Sequence, residues 1–362
     1  MDLTWILDPL GPTMTVSLGG LLIGLIFGAA AQQSRFCLRA AVVEFVRGAI
    51  GSKVSIWLLA FSGAVFATQS FLYWNLLDVS DARQLSPQTS MSGAIIGGLM
   101  FGCGMVLARG CSSRLLVLSA TGNLRALLSG LVFAVSAQAA FRGILSPLRE
   151  MLTTLWIVDG HGLIDALPHV GSIDPTMTVG TAFLIGAVFF AWHNRLPRRT
   201  WLAALGAGGV VSLGWLLTYT LSYQSFDPVQ VESITFTGPS ADTLMIFLDP
   251  ASTELDFDVG LVPGVFLGSF LAAYLTNELK LEGFEGGPAM RRYLAGAAIM
   301  GFGGMLAGGC AVGAGITGGA VFSLTAWVAL SGMWIGAGLT DHLLDRGSEP
   351  QPSLSWPKEN TG

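Results

Sequence analysis

Apolar stretches about as long as a membrane-spanning helix recur along this chain, and they constrain its fold more than any other feature. A helix needs about 20 apolar residues to cross about 30 Å of hydrocarbon, and backbone groups in lipid must satisfy one another. The sequence therefore predicts an all-α integral membrane protein with about nine transmembrane helices. The predicted spans are 14–33, 54–74, 91–108, 124–141, 176–193, 201–221, 259–278, 292–309 and 319–340.

Composition agrees with this fold class. The 362 residues are 52% hydrophobic and 11% charged, with a mean hydropathy of +0.64, which lies outside the range of soluble globular domains. Asp2 and Asp8 precede the first apolar stretch. Because a signal peptide would begin with basic residues, we expect a retained anchor and no cleaved leader.

The distribution of basic residues predicts the orientation in the membrane. With the N-terminus outside, nearly all Lys and Arg fall in inner loops, and Arg83, Arg142 and Arg149 are the three outside. The positive-inside rule then places the C-terminus in the cytoplasm. Seven acids between residues 227 and 258 indicate a solvated outer loop. Residues 1–345 form the predicted membrane domain, and the proline-rich segment 346–362 is a predicted disordered cytoplasmic tail.

A glycine-rich element occurs twice. Residues 97–111 and 296–310 match at seven of fifteen positions with an offset of 199, and both copies end in a Leu-Ala-x-Gly-Cys pattern. In the predicted topology the two copies cross the membrane in opposite directions. Internal inverted repeats with helices broken near the midplane are a recurring transporter design. We therefore expect an inverted repeat, near 91–133 and 292–335, with short broken or re-entrant helices.

The end of each copy is a candidate anion site. Cys111 precedes Ser112 and Ser113, and Cys310 precedes a run of small residues, so a helix can stop and a new one begin at each cysteine. Glycine exposes backbone N–H groups, and a helix N-terminus adds partial positive charge. The predicted cradle consists of Gly110, Gly308 and Gly309. Close helix packing through small residues explains most of the chain's 48 glycines.

Three cysteines lie at predicted span ends, and we interpret Cys37, Cys111 and Cys310 as a column along a pore. For an anionic substrate these must be neutral thiols, which are weak hydrogen-bond donors suited to binding followed by release. Cys103 aligns with Phe302 and is interpreted as a small hydrophobic residue. Arg109 aligns with Gly308, and it is either an anion attractor or, as we favour, another inner-side basic residue.

Other classes of site have little support. The four cysteines show neither a C-x-x-C pair nor zinc-type spacing, so no disulfide scaffold, metal site or cofactor is predicted. Intramembrane acids for a proton relay are nearly absent, because Glu44 and Asp341 lie at span edges.

Together, Ser-Arg-Phe-Cys37, Leu-Ala-Arg-Gly-Cys111-Ser-Ser and Leu-Ala-Gly-Gly-Cys310-Ala-Val-Gly resemble the YeeE/YedE family of bacterial sulfur-compound transporters. The resemblance spans roughly residues 14–340. It implies an hourglass-shaped helical fold in the inner membrane, whose waist is lined by the thiols of Cys37, Cys111 and Cys310. Thiosulfate or a related anion would pass by successive S–H hydrogen bonds. Arg109 departs from the family's Ala-Gly-Gly-Cys pattern and puts the exact anion in doubt.

The resemblance further implies membrane lipid and a small cytoplasmic sulfur-carrier protein as partners, with no nucleic acid and no enzymatic activity. Three alternatives stay open at this point. They are selenium-compound transport within the same family, a membrane thiol-disulfide oxidoreductase, and a soft-metal permease that uses thiols.

Overall fold

The computed structural model describes residues 9, 11–80, 82–85, 88–159, 175–225, 228–249, 255–284 and 286–345. The predicted tail, 346–362, lies outside these residues. The helices are α1 Pro12–Ser34, α2 Leu38–Val46, α3 Ser52–Tyr73, α4 Met91–Leu107, α5 Ser112–Ala120, α6 Leu124–Phe141, α7 Ser146–Thr153, α8 Pro175–His193, α9 Arg198–Gln224, α10 Thr237–Leu248, α11 Phe257–Leu275, α12 Gly287–Leu306 and α13 Leu324–Thr340. A 3-10 turn spans Arg83–Leu85, and π-helical segments span Ala311–Gly318 and Asp341–Asp345. Strands β1 Gln88–Ser90 and β2 Ile157–Asp159 form a short antiparallel pair.

The all-α membrane fold is confirmed. Eight helical stretches in the described part of the chain are long and apolar enough to cross a membrane. Three of them combine a long helix with the short helix that follows it, as in Pro12–Val46, Met91–Ala120 and Gly287–Gly318. The ninth predicted span corresponds to α13, which has 17 residues. At 1.5 Å per residue α13 is about 25 Å long, slightly short of the hydrocarbon thickness.

Glycine allows the long helices to pack with their backbones in contact. Along α1, a Cβ added at Gly20, Gly24 or Gly28 would lie within 2.4 Å of a backbone oxygen of α11. The glycines of α11 face α1 in the same way, and a Cβ at Gly264 would lie 2.3 Å from the Leu21 oxygen. Small-residue stripes of this kind are the usual interface between helices in lipid, where apolar side chains gain little by association.

The two copies of the repeated element, α4 and α12, pack antiparallel. Gly97 approaches Gly303 and Ala307, whereas Gly104 approaches Gly296 and Met300. With the offset of 199, Gly97 corresponds to Gly296 and Gly104 to Gly303, so the contacts are reciprocal in the way that a two-fold axis requires. This packing supports the predicted inverted repeat, which stays a prediction.

The acidic segment between α9 and α11 was predicted as a solvated loop, and that interpretation is wrong for its middle. Ser233, Ile234, Thr235 and Phe236 are buried, and α10 follows them. Ile234 accepts a hydrogen bond from Thr317 Oγ1 at 2.6 Å, which ties the segment to the π-helical stretch after Cys310. Residues 228–236 thus enter the core in an irregular conformation, which is tolerated at membrane depth where surrounding protein satisfies the backbone.

Candidate functional site

Each of the three singled-out cysteines occupies the N-cap of a short helix. Cys37 precedes α2, Cys111 precedes α5, and Cys310 precedes the π-helical segment, all with extended backbone angles. A helix N-terminus carries partial positive charge and unpaired N–H groups, which favour anions. The structure thus places three thiols at three positive helix ends.

The chain breaks that create these N-caps have the same local cause in both repeat copies. Arg109 (φ 55°) and Gly308 (φ 74°) adopt the left-handed conformation just after α4 and α12. The next amides, of Gly110 and Gly309, donate to Met105 and Gly304 oxygens at 3.0 and 2.9 Å. These paired bonds form the Schellman motif that commonly ends a helix. The chain then turns and starts a new helix at the cysteine.

Because of these motifs, the three predicted cradle glycines use their own N–H groups within the helix ends. Gly110 and Gly309 donate as described above, and Gly308 donates to the Met305 oxygen at 3.4 Å. In the first turns of α2 and α5 no side chain caps the helix, and the amides of Ala40 and Arg114 approach the sulfurs of Cys37 and Cys111. At the third site Cys310 Sγ itself accepts a hydrogen bond from Gly313 N at 3.3 Å.

Cys37 and Cys111 form a thiol pair. They are 74 positions apart in the sequence, yet their side chains lie close enough to interact. Cys111 is fully buried and also contacts Ser113, with Sγ and Oγ 3.4 Å apart, while Cys37 is partly buried. Cys310 is fully buried at the other end of the α4–α12 pair, since these helices run antiparallel.

A cavity of about 370 Å³ approaches Cys310. We call it the vestibule, and its lining includes Arg149, Thr235, Thr237, Asp258, Gly308 and Gly309. Ala314, in the first turn after Cys310, also lines it. Thr235 Oγ1 and Thr237 Oγ1 are buried and lack a hydrogen-bond partner among the described residues. The vestibule can therefore offer two hydroxyl groups to a small anion next to residues that flank Cys310.

Sequence reasoning missed both threonines because the acids around them dominated the interpretation of their loop. A signal was present: residues 233–241 form the longest uncharged run between Asp227 and Asp258. An uncharged run of Ser, Ile, Thr and Phe inside an acidic loop is typical of a part of the chain that is buried.

The arginine close to Cys37 and Cys111 is Arg114 and not Arg109, which the sequence had indicated as a candidate. Arg109 lies over the ring of Tyr293, at 5.7 Å from its centroid, and Arg125 stacks on the same ring at 4.9 Å. The Arg114 guanidinium, in the first turn of α5, lies within Coulombic range of both Cys37 and Cys111. Arg109 therefore occupies a cation–π cluster, whereas Arg114 acts on both thiols and Arg39 on Cys37.

Cys103 takes no part in this arrangement. Its Sγ lies 3.5 Å from the Gly336 oxygen of α13, as expected for a small side chain that packs between helices. All four cysteines are free thiols. Across the described ranges, no group of three or more His, Cys, Asp or Glu side chains could hold a metal ion.

Comparison with known proteins gives the family. Residues 33–339 match the family described as sulphur transport. The thiosulfate transporter TsuA of Spirochaeta thermophila is 26% identical over 325 residues, covering 86% of this chain and 93% of the relative. TsuA of Escherichia coli is 25% identical over 346 residues, covering 88% and 92%. Both relatives are named transporters and not enzymes. This chain is a multi-pass membrane protein that belongs to the sulphur transport (YeeE/YedE) family.

Proposed function

We propose that this protein takes up thiosulfate, or a related small sulfur oxyanion, across a bacterial inner membrane along a pathway that includes Cys37, Cys111 and Cys310. The observation that carries the proposal is the placement of three thiols at the N-caps of three short helices within the buried core. The relatives named thiosulfate transporters support the substrate class.

The chemistry of the site fits an anion that must be bound and then released. An anion leaving water needs donors, which the thiols, the first-turn amides of α2 and α5, and the vestibule hydroxyls provide. Neutral S–H groups bind weakly, so transfer from one to the next does not require breaking a strong ion pair. Gly308 and Gly309 shape the end of the vestibule next to Cys310.

Further parts of the proposal follow the sequence. The N-terminus lies in the periplasm and the C-terminus in the cytoplasm, as the basic residues predict. The overall form is an hourglass built on an inverted repeat, formed by one membrane domain over residues 1–345. A small cytoplasmic sulfur-carrier protein receives the substrate.

The test is flux of labelled thiosulfate into vesicles that contain only this protein. C111A and C310A are expected to abolish uptake, and C37A to reduce it strongly, because each removes a donor along the pathway. C103A is the matched control, since this thiol packs against α13. Equal uptake by all four variants, with normal insertion in the membrane, would overturn the proposed pathway.

Competition defines the substrate and separates the alternatives. Sulfate, sulfite and selenium oxyanions are added to the same vesicles, and the anion that displaces labelled thiosulfate at the lowest concentration identifies the preferred class. The thiol pair Cys37–Cys111 gives the oxidoreductase alternative a structural basis. It predicts a disulfide that forms and disappears during turnover, which mass analysis detects, whereas a transporter keeps its thiols reduced.

A further inference from the structure

Arg114 has a buried guanidinium atom that no described residue satisfies. Its Nη1 is shielded from solvent and has no hydrogen-bond partner. A charged donor left unpaired in the protein interior is unfavourable, so a bound anion that accepts from it would be favoured there. The side chain lies beside Cys37 and Cys111, in Coulombic range of both thiols.

Glu278 lies in Coulombic range of Arg114 but does not neutralise its charge. Glu278 accepts hydrogen bonds from Arg35 Nη2 at 3.1 Å and from Gln32 Nε2 at 2.9 Å, so both of its oxygens are engaged by other side chains. The Arg35–Glu278 ion pair balances its own charge. Arg114 therefore adds a net positive charge at the thiol pair.

The surrounding backbone increases the positive potential. Arg114 is in the first turn of α5, and α2 also begins at the thiol pair. The N-terminal ends of α2 and α5, each a nine-residue helix, carry partial positive charge, so a cation such as Arg114 is unfavourable beside them. Neither helix end has a side-chain cap. Two helix ends and a guanidinium at one point form an arrangement that an anion would stabilise.

The second copy of the repeat lacks this charge. With the offset of 199, Arg114 corresponds to Gly313, and a Cβ at Gly313 would lie 2.2 Å from Thr235 Oγ1. A neutral hydroxyl thus fills the space beside Cys310 that a side chain would need. The two ends of the pathway differ in charge, with a cation at Cys111 and a hydroxyl at Cys310.

We propose that Arg114 binds the transported anion at the thiol pair, with its guanidinium donating to an oxygen of thiosulfate or a similar oxyanion while Cys37 and Cys111 contact the same ion. The inference rests on the proposed function. Arg114 makes this end of the pathway the tighter site and requires a negative charge on the substrate, which thiols alone do not.

The experiment compares R114Q and R109Q in vesicles supplied with labelled thiosulfate. The two variants remove the same charge from the same short segment, but Arg109 lies on Tyr293. R114Q is expected to raise the KM for thiosulfate about 10- to 100-fold, as loss of a charge-assisted hydrogen bond does. R109Q is expected to leave KM within about twofold, and R114K to recover part of the loss because it keeps the charge without the guanidinium fork.

Unchanged KM in R114Q, while C111A still abolishes uptake, would overturn the role of Arg114 and leave the proposed function intact. Absence of thiosulfate flux in the unmodified protein would instead reject the proposed function. If R114Q does not insert in the membrane, R114K decides: a KM raised about 3- to 10-fold supports the proposal, and a KM equal to that of the unmodified protein overturns it.

Discussion

Thr235 contributes to the vestibule a buried hydroxyl that no described group binds, and this has opposite consequences for stability and for uptake. An unpartnered buried hydroxyl costs about 1–3 kcal/mol. T235V keeps the shape and removes the polar group, so we expect a higher thermal unfolding temperature in detergent together with slower thiosulfate uptake.

The control for T235V is T218V. Thr218 is equally buried, but its Oγ1 donates to the Glu232 oxygen at 2.6 Å. Removing that hydroxyl leaves a buried carbonyl without this donor, so T218V is expected to lower the unfolding temperature. If T235V lowers the unfolding temperature as T218V does, Thr235 Oγ1 has a partner in solution and is not held ready for an anion.

Position 308 needs glycine because of its backbone conformation and not because a side chain would clash there. Its φ of 74° is left-handed, yet a Cβ there would meet no atom within 4 Å. G308A is expected to destabilise the protein by roughly 1–2 kcal/mol, the cost of that conformation for an L residue. G206A, in the interior of α9 with equally open space, is expected to be neutral or stabilising, and thermal unfolding of the two variants provides the comparison.

At the scale of elements, α4 and α12 support each other through reciprocal glycine contacts. A Cβ at Gly97 would lie 2.4 Å from Ala307 N, and one at Gly296 would lie 2.6 Å from Ala108 N. Both atoms are backbone, so the helices must separate to accommodate alanine. We expect G97A and G296A to lower folded yield by similar amounts, measured by fluorescence-detected gel filtration.

The matched control is G186A in α8, where a Cβ meets no atom within 4 Å. G186A is expected to retain the yield of the unmodified protein. A large loss in G97A with none in G296A would argue against a symmetric role of the two copies.

The thiol pair joins two elements that are far apart in sequence, α2 and α5, and oxidation should lock them together. A diamide oxidant converts two thiols to a disulfide and takes up the two electrons and two protons. We expect oxidation to link Cys37 to Cys111 and to stop uptake, with recovery on addition of dithiothreitol. Mass analysis of peptides identifies the bond, and C37A, which cannot form it, should keep whatever uptake it has.

How far the sequence predicted these elements depended on whether the signal was local. The span 124–141 is observed as Leu124–Phe141, because Asn123 caps its N-terminus through a bond to Ala126 N and the apolar run ends with the helix. The break at Cys310 was likewise predictable from Gly308, which permits the left-handed turn, whereas Arg109 occupies that position before Cys111. Helix ends of this kind are decided within a few residues of the chain.

Contacts between distant parts of the chain could not be predicted in this way. The pairing of Cys37 with Cys111 depends on how α1, α2 and α5 pack, and a single sequence contains no signal for it. Arg114 was read with Arg109 as a basic residue of an inner loop, since spacing does not show which way a first-turn side chain points. The burial of residues 233–236 was hidden by the acids on either side.

At the scale of the whole molecule, the protein encloses two of the three thiols of the proposed pathway, Cys111 and Cys310. Cys111 and Cys310 have no exposed surface, whereas the vestibule reaches the residues beside Cys310. Transport along the proposed pathway would require movement that opens each thiol to one side in turn, as in transporters in which one repeat rocks against the other.

We expect Cys310 and Cys37 to differ in the side of the membrane from which a reagent reaches them. In right-side-out vesicles, a membrane-impermeant maleimide should modify Cys310 through the vestibule, while Cys37, at the opposite end of the α4–α12 pair, reacts when the reagent is inside. Variants that keep one of the two cysteines report each rate by gel shift. Thiosulfate should slow both reactions, because the bound anion occupies the same space, and sulfate at equal ionic strength is the control. Modification of both thiols from the same side at equal rates would show that they do not lie along a path across the membrane, and the proposed pathway would then fail at this largest scale even if each thiol binds the anion.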